Sequence, residues 1–132
     1  MDNLLSFLGL MKKASALVIG ADNIYTATEF GKVKILVLAK DTAKNTMSAV
    51  KNTALNWELP LITLDFTKAE IGEALGQNEC AAFGITDTGF ALALCKKLGN
   101  TDYEAYFSEK LEREKKRKAK KTAAGAARKR RK

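Results

Sequence analysis

The stretch Gly20-Ala21-Asp22-Asn23-Ile24-Tyr25-Thr26 combines residue types and spacing that could do recognition chemistry. A glycine that ends the short apolar run Leu17 to Ile19 and leads into helix-forming residues makes a strand turning sharply into a helix. The first amides of such a helix lack intrahelical acceptors and its positive end faces outward, so a phosphate or a base edge could be received there. Asn23 and Thr26 lie one helical step apart, an amide donor and acceptor pair and a hydroxyl aimed at splayed bases. Lys12, Lys13 and Lys32 supply candidate cationic contacts, and Tyr25 is the aromatic to consider for base stacking. Asp22 has a second reading as a helix cap, and so has Asp41. Lys44 and Asn45-Thr46 sit at a later strand-to-helix junction, where they serve either binding or local first-turn hydrogen bonding.

Other chemistries are poorly supplied. The 132 residues contain no histidine, which removes the usual general base and the usual partner of a nucleophilic serine or cysteine. Cys80 and Cys95 stand alone in apolar surroundings without Cys-x-x-Cys spacing, so no structural zinc or other metal is expected. There is no Gly-x-Gly-x-x-Gly, Walker loop or nucleophile elbow, and Glu70 and Glu73 are explained by favourable placement at a helix start. The expectation is a protein that is not an enzyme, with no cofactor and no small-molecule substrate. No apolar run reaches the 18 or so residues of a bilayer-spanning helix, and Met1-Asp2-Asn3 lacks the positive region of a secretory signal. A cytoplasmic location without a membrane partner is expected.

Charge divides the chain. Residues 1–108 carry 10 lysines, no arginine and 12 acids, whereas residues 109–132 carry 13 basic residues and 3 acids. A nearly neutral body joined to a dense cationic end suits an extension that follows phosphates, because counterion release rewards clustered charge. The phosphate contacts expected of it are Lys115, Lys116, Arg117, Lys118, Lys120, Lys121, Arg128, Lys129, Arg130, Arg131 and Lys132. A solvated, solubilising tail is the plainer alternative.

The elements that must position these groups alternate along the body. Leu4, Leu5, Leu8 and Met11 recur at helical spacing behind Asp2, a candidate cap, and predict a helix ending near Ser15. Leu17 to Ile19 is a first strand, Asp22 to Phe30 a helix closed at Gly31, and Val33 to Ala39 a strand apolar enough to be buried on both faces. Met47, Val50, Ala54 and Trp57 fall on one face of a third helix, and Pro60 opens a strand over Leu61 to Leu64. A capping box, Thr67 to Glu70, begins a fourth helix that stops at Gly76. Ala81 to Ile85 is a fourth strand and Gly89 to Leu98 a fifth helix stopped by Gly99. Trp57 and Phe83 read as packing residues. The alternation predicts an α/β fold, a three-layer α/β/α sandwich around a small mixed, mostly parallel four-stranded sheet. Tyr103, Tyr106, Phe107 and Leu111 form one helical stripe. The expected organisation is a compact domain over 1–100, a docking helix over 101–112, and a basic tail over 113–132. The tail holds too little apolar surface to order itself alone; it is disordered or ordered by RNA, although propensity allows a nascent helix to about Lys121.

Several blocks carry a specific likeness. Gly9 to Ala14, Leu17 to Gly20, Gly31 to Ala39, Asp41 to Thr46, Ile71 to Gly76 and Ala82 to Ala91, in that order, resemble the bacterial YlxQ-type branch of the kink-turn RNA-binding ribosomal protein superfamily. The resemblance covers 4–98 and leaves the tail outside. It implies the same three-layer fold and non-catalytic binding of kinked or bulged structured RNA, either ribosomal RNA or another kink-turn RNA, in the translation machinery. Ribosomal or other ribonucleoprotein proteins are further implied partners. The implied RNA-binding residues are Lys12, Lys13, Gly20, Asp22, Asn23, Thr26, Lys32, Lys44, Asn45, Gln77 and Asn78.

The superfamily's Gly-x-Asn-Glu-x-x-Lys is replaced at three positions: Asp22 stands for the amide, Asn23 for the carboxylate and Thr26 for the lysine. Gln77-Asn78-Glu79 is polar where the superfamily often presents apolar residues. These departures favour an alternative, an interaction adaptor that keeps the fold and has lost specific kink-turn recognition.

Overall fold

Alternation along one strand builds two cores. In the strand Ile35–Leu38, Ile35 and Val37 point to one side and Leu36 and Leu38 to the other, and all four are fully buried. The computed structural model describes the backbone of residues 3–130 and the side chains of residues 3–119. Asp2, the expected cap of the first helix, lies outside the described residues. So do Arg131 and Lys132, and the side chains of Lys120, Lys121, Arg128, Lys129 and Arg130.

The elements run α1 (Asn3–Lys13), β1 (Leu17–Ile19), α2 (Ala21–Glu29), β2 (Ile35–Leu38), α3 (Lys44–Asn56), β3 (Leu61–Thr63), α4 (Lys68–Ala74), β4 (Ala82–Ile85), α5 (Thr88–Leu98) and α6 (Thr101–Arg130). The strands order β1-β4-β2-β3. β2 and β3 pair in parallel, with Leu36 opposite Leu61 and Leu38 opposite Thr63, while β4 runs antiparallel to both β2 and β1. The sheet is mixed as expected, and β1, β2 and β3 point the same way. The hydrogen-bonded pairings, however, are antiparallel in two of three cases, because β4 is inserted between two strands that share a direction.

Helices cover both faces. Leu8 and Met11 of α1, Ile71 of α4, Ala91, Leu94 and Cys95 of α5 and Phe107 of α6 pack with Ile35, Val37, Phe83 and Ile85. Ile24 of α2 and Val50 and Ala54 of α3 pack with Leu36, Leu38 and Ala82 on the other face. The two cysteines are buried free thiols, and burial pushes the Cys80 thiol up to about 11.

Helix ends decide which tips stay open. α4 carries the expected capping box: Thr67 Oγ1 accepts from Glu70 N–H and Glu70 Oε1 accepts from Thr67 N–H, each at 3.1 Å. Asp41 does not cap α3, whose N-cap is Ala43; its Oδ1 instead accepts the Lys68 N–H at 2.7 Å, closing the start of α4 a second time. Asp22 does not cap α2 either: the N-cap is Gly20, without a side-chain bond, and Asp22 sits in the first turn. Trp57 departs from the inner face of α3 and is 50% exposed. The helix stops at Asn56 and Glu58 takes a left-handed φ of 52°, so helical spacing no longer applies and the half-buried Leu59 packs inward instead.

α6 runs without a break through residue 112, where the docking helix was expected to give way to the tail. Phe107 is fully buried, Tyr103 and Leu111 half-buried, and Tyr106 sits at the rim, 40% exposed. Glu114 continues the inward stripe one turn further. Its Oε1 accepts from Thr88 Oγ1 at 2.9 Å and lies 3.8 Å from Lys34 Nζ, tying α6 to the start of α5 and the approach to β2.

Candidate nucleic-acid interface

Three helices begin at the end of the sheet where β1, β2 and β3 finish, here the upper end. α4 is closed there by Thr67 and Asp41, whereas α2 and α3 have no side-chain cap. Their first-turn amides are therefore left to solvent or to a ligand. The two open tips are held by consecutive carbonyls at the start of β4: Ala82 O accepts from Gly20 N–H at 3.2 Å and Ala81 O from Ala39 N–H at 2.8 Å. The buried Thr42 hydroxyl, 2.6 Å from Ala39 O and 3.2 Å from Ala81 O, fixes the loop into α3.

Gly20 makes the first tip with φ 91° and ψ 149°, a conformation essentially reserved for glycine. A Cβ added there would meet no atom within 4 Å, so the tip is open rather than packed against neighbours. Asp22, Asn23 and Thr26 are exposed on it, with Lys44 and Asn45 exposed on the first turn of α3. Some donors are used internally: Asn23 Nδ2 gives one of its two N–H groups to Ile19 O at 2.8 Å, and Thr26 Oγ1 donates to Asp22 O at 3.1 Å. The surface thus offers backbone N–H groups and the second Asn23 N–H as donors, and a carboxylate, an amide oxygen and a hydroxyl oxygen as acceptors. That combination suits base edges, which carry both kinds of group, better than phosphates alone, which Asp22 would repel.

Gln77 and Asn78 are exposed in the loop that leads into β4. The loop lies against α4, where Cys80 N–H donates to Lys68 O and a Cβ on Gly72 would come within 2.7 Å of Glu79 Cα. Close backbone approach explains that glycine. The remaining expected residues are placed elsewhere. Lys12 Nζ donates to Leu75 O and so closes the C-terminus of α4, and it lines a groove with Lys13 and Gly76. Lys32 lies with Ser15, Leu17, Lys34 and Thr86 at the lower end, where β1 starts and β4 stops. Tyr25 is half-buried and packs against the core of α2 and α3.

Among the described residues no group of three or more His, Cys, Asp or Glu side chains could hold a metal ion, and no helix is long and apolar enough to cross a membrane.

A three-layer sandwich with two uncapped, polar helix tips flanking one strand defines the class as a small α/β scaffold that presents helix ends. The profile of the ribosomal protein L7Ae/L30e/S12e/Gadd45 family matches residues 2–94, and the chain belongs to that family. It is similar to RNA-binding protein YlxQ of Enterococcus faecium, 33% identical over 87 residues that cover 66% of this chain and 82% of the relative. It is also similar to RNA-binding protein YlxQ of Bacillus subtilis, 26% identical over 91 residues, 69% of this chain and 90% of the relative. A solved structure described as a protein with unknown function from Bacillus halodurans C superposes with a TM-score of 0.67 at 25% identity, over 73% of this chain and 96% of that one. The family match ends at residue 94, so α6 lies wholly beyond it.

Proposed function

We propose that this chain is a non-catalytic RNA-binding protein of the translation machinery, recognising kinked or bulged structured RNA at the upper end of its sheet, with the basic part of α6 adding sequence-independent phosphate contacts. The pair of open helix tips carries the reading: of three helix N-termini at that end, the sequence caps the one outside the tip and leaves the two beside Gly20 and Lys44 open. Relatives over the same span are named RNA-binding proteins. The residues assigned to the contact are Gly20, Asp22, Asn23, Lys44 and Asn45, with Gln77 and Asn78 on the adjoining loop.

The internal bonds of Asn23 and Thr26 favour a second reading, an adaptor that binds proteins of a ribonucleoprotein through the same fold. Titrating the full chain and Asn23→Ala against duplex RNAs with and without a bulge-induced kink, at moderate salt, separates the two. RNA recognition predicts preference for the kinked RNA and a loss of about tenfold with Asn23→Ala, the size of one or two hydrogen bonds. Equal binding of straight and kinked duplexes by both proteins would favour the adaptor.

A further inference from the structure

The lower end of the sheet exposes aromatic rings, of which Tyr106 packs edge-on against Phe107 with ring centres 5.0 Å apart. Phe30 is 72%, Trp57 50% and Tyr106 40% exposed, although large rings normally bury most of their area. They come from the ends of α2 and α3 and from the rim of α6. Trp57 and Tyr106 line one cavity of about 170 Å³ with Lys34, Lys110, Val33 and Leu59; Phe30, next in sequence to the lining residue Gly31, has Lys32 Nζ 5.9 Å from its ring centre. Such a space is smaller than the roughly 300–1,000 Å³ of a drug-sized ligand's pocket and suits a single flat ring system.

We infer that this groove is a second RNA-binding site, one that takes unpaired nucleotides by stacking bases on Trp57 and Tyr106 while Lys110 holds an adjoining phosphate. The inference rests on the RNA-binding reading above and adds a surface at the opposite end of the sheet. Three observations choose RNA as the occupant. Rings and ammonium groups share one narrow groove, which is how single strands are held without base-specific readout. Protein interfaces, by contrast, deplete lysine at their centres. The same helix that supplies Tyr106 and Lys110 continues into Arg113 and Lys115 to Lys118, so a strand leaving the groove along α6 meets further positive charge. The half-buried acid there, Glu114, is already engaged by Thr88 and Lys34.

Trp57 is the only tryptophan in the chain, so its emission reports the site directly. The full chain is titrated with a dye-labelled 12-nucleotide oligouridine while RNA anisotropy and Trp57 emission are both followed. The expected result is saturable quenching that tracks the anisotropy, a loss of affinity of about tenfold with Tyr106→Ala and near-normal affinity with Tyr106→Phe. Lys110→Gln should flatten the slope of log K against log salt by about 0.7, one phosphate contact on a single strand. Asn23→Ala should leave the quenching unchanged. Binding seen by anisotropy with Trp57 emission unaltered would overturn the inference and leave the RNA-binding reading standing. Failure of the oligouridine and of every structured RNA to shift the anisotropy would remove both.

Discussion

At Gly20 the backbone conformation, rather than a side chain, determines what the open tip can be. An alanine there has room for its methyl group but must hold a φ near 91°, so the cost is conformational strain and not a clash. Gly20→Ala should lower unfolding free energy by about 1–3 kcal/mol in a denaturant titration, with the sheet spectrum retained. This residue is legible in the sequence because a glycine between an apolar run and a helix serves chiefly to turn the chain. The roles of Asn23 and Thr26 are legible only to the level of which face they share. Whether an amide donates outward or back to Ile19 depends on where the strand carbonyl ends up, and helical spacing carries no such information. Lys12 shows the same limit: it reads as a surface cation, and the structure gives it the C-terminal carbonyl of α4, an element more than fifty residues later in the chain.

Elements are readable where local pattern and tertiary burial coincide. β2 is apolar on both faces and is buried on both, and Thr67 to Glu70 reads as a capping box and forms one. Trp57 shows where pattern misleads, since its place in the series Met47, Val50, Ala54 persists one residue beyond the helix itself. Among the residues of the proposed groove, Tyr106 could have been separated from its stripe by spacing, because Tyr103, Phe107, Leu111 and Glu114 repeat at four, four and three and leave Tyr106 to one side. α6 depends on that stripe. Phe107 is its one fully buried side chain among the described residues, so Phe107→Ala should cost about 3–5 kcal/mol and undock the helix. Limited trypsin digestion would then cut at Lys110 and Arg113 in the variant faster than in the unaltered chain, a difference visible by mass spectrometry.

For the molecule as a whole, charge and shape are separated along one axis. The body is nearly neutral and presents polar tips at its upper end, while cations gather on α6 beyond Glu114 and beside Lys32 and Lys34 at the lower end. Removing residues 115–132 keeps the buried Phe107 and the Glu114 contacts with Thr88 and Lys34, and deletes the later cations. The salt slope of RNA binding should become shallower by about 0.7–0.9 for each phosphate that is no longer neutralised, while the preference for kinked over straight RNA stays. An unchanged slope in that titration would exclude the basic segment from the RNA interface.

The strand order has a consequence for the growing chain. β1 and the glycine that ends it are held in the sheet by β4 alone, through Ile19 opposite Phe83 and the Gly20 amide on Ala82, some sixty residues downstream. A nascent polypeptide can thus make α1, α2 and the parallel β2–β3 pair while β1 has nothing to join. The tip beside Gly20 therefore takes its bearing from residues 82–85, and a chain that stops short of them carries every residue of its upper end without the strand that aligns them.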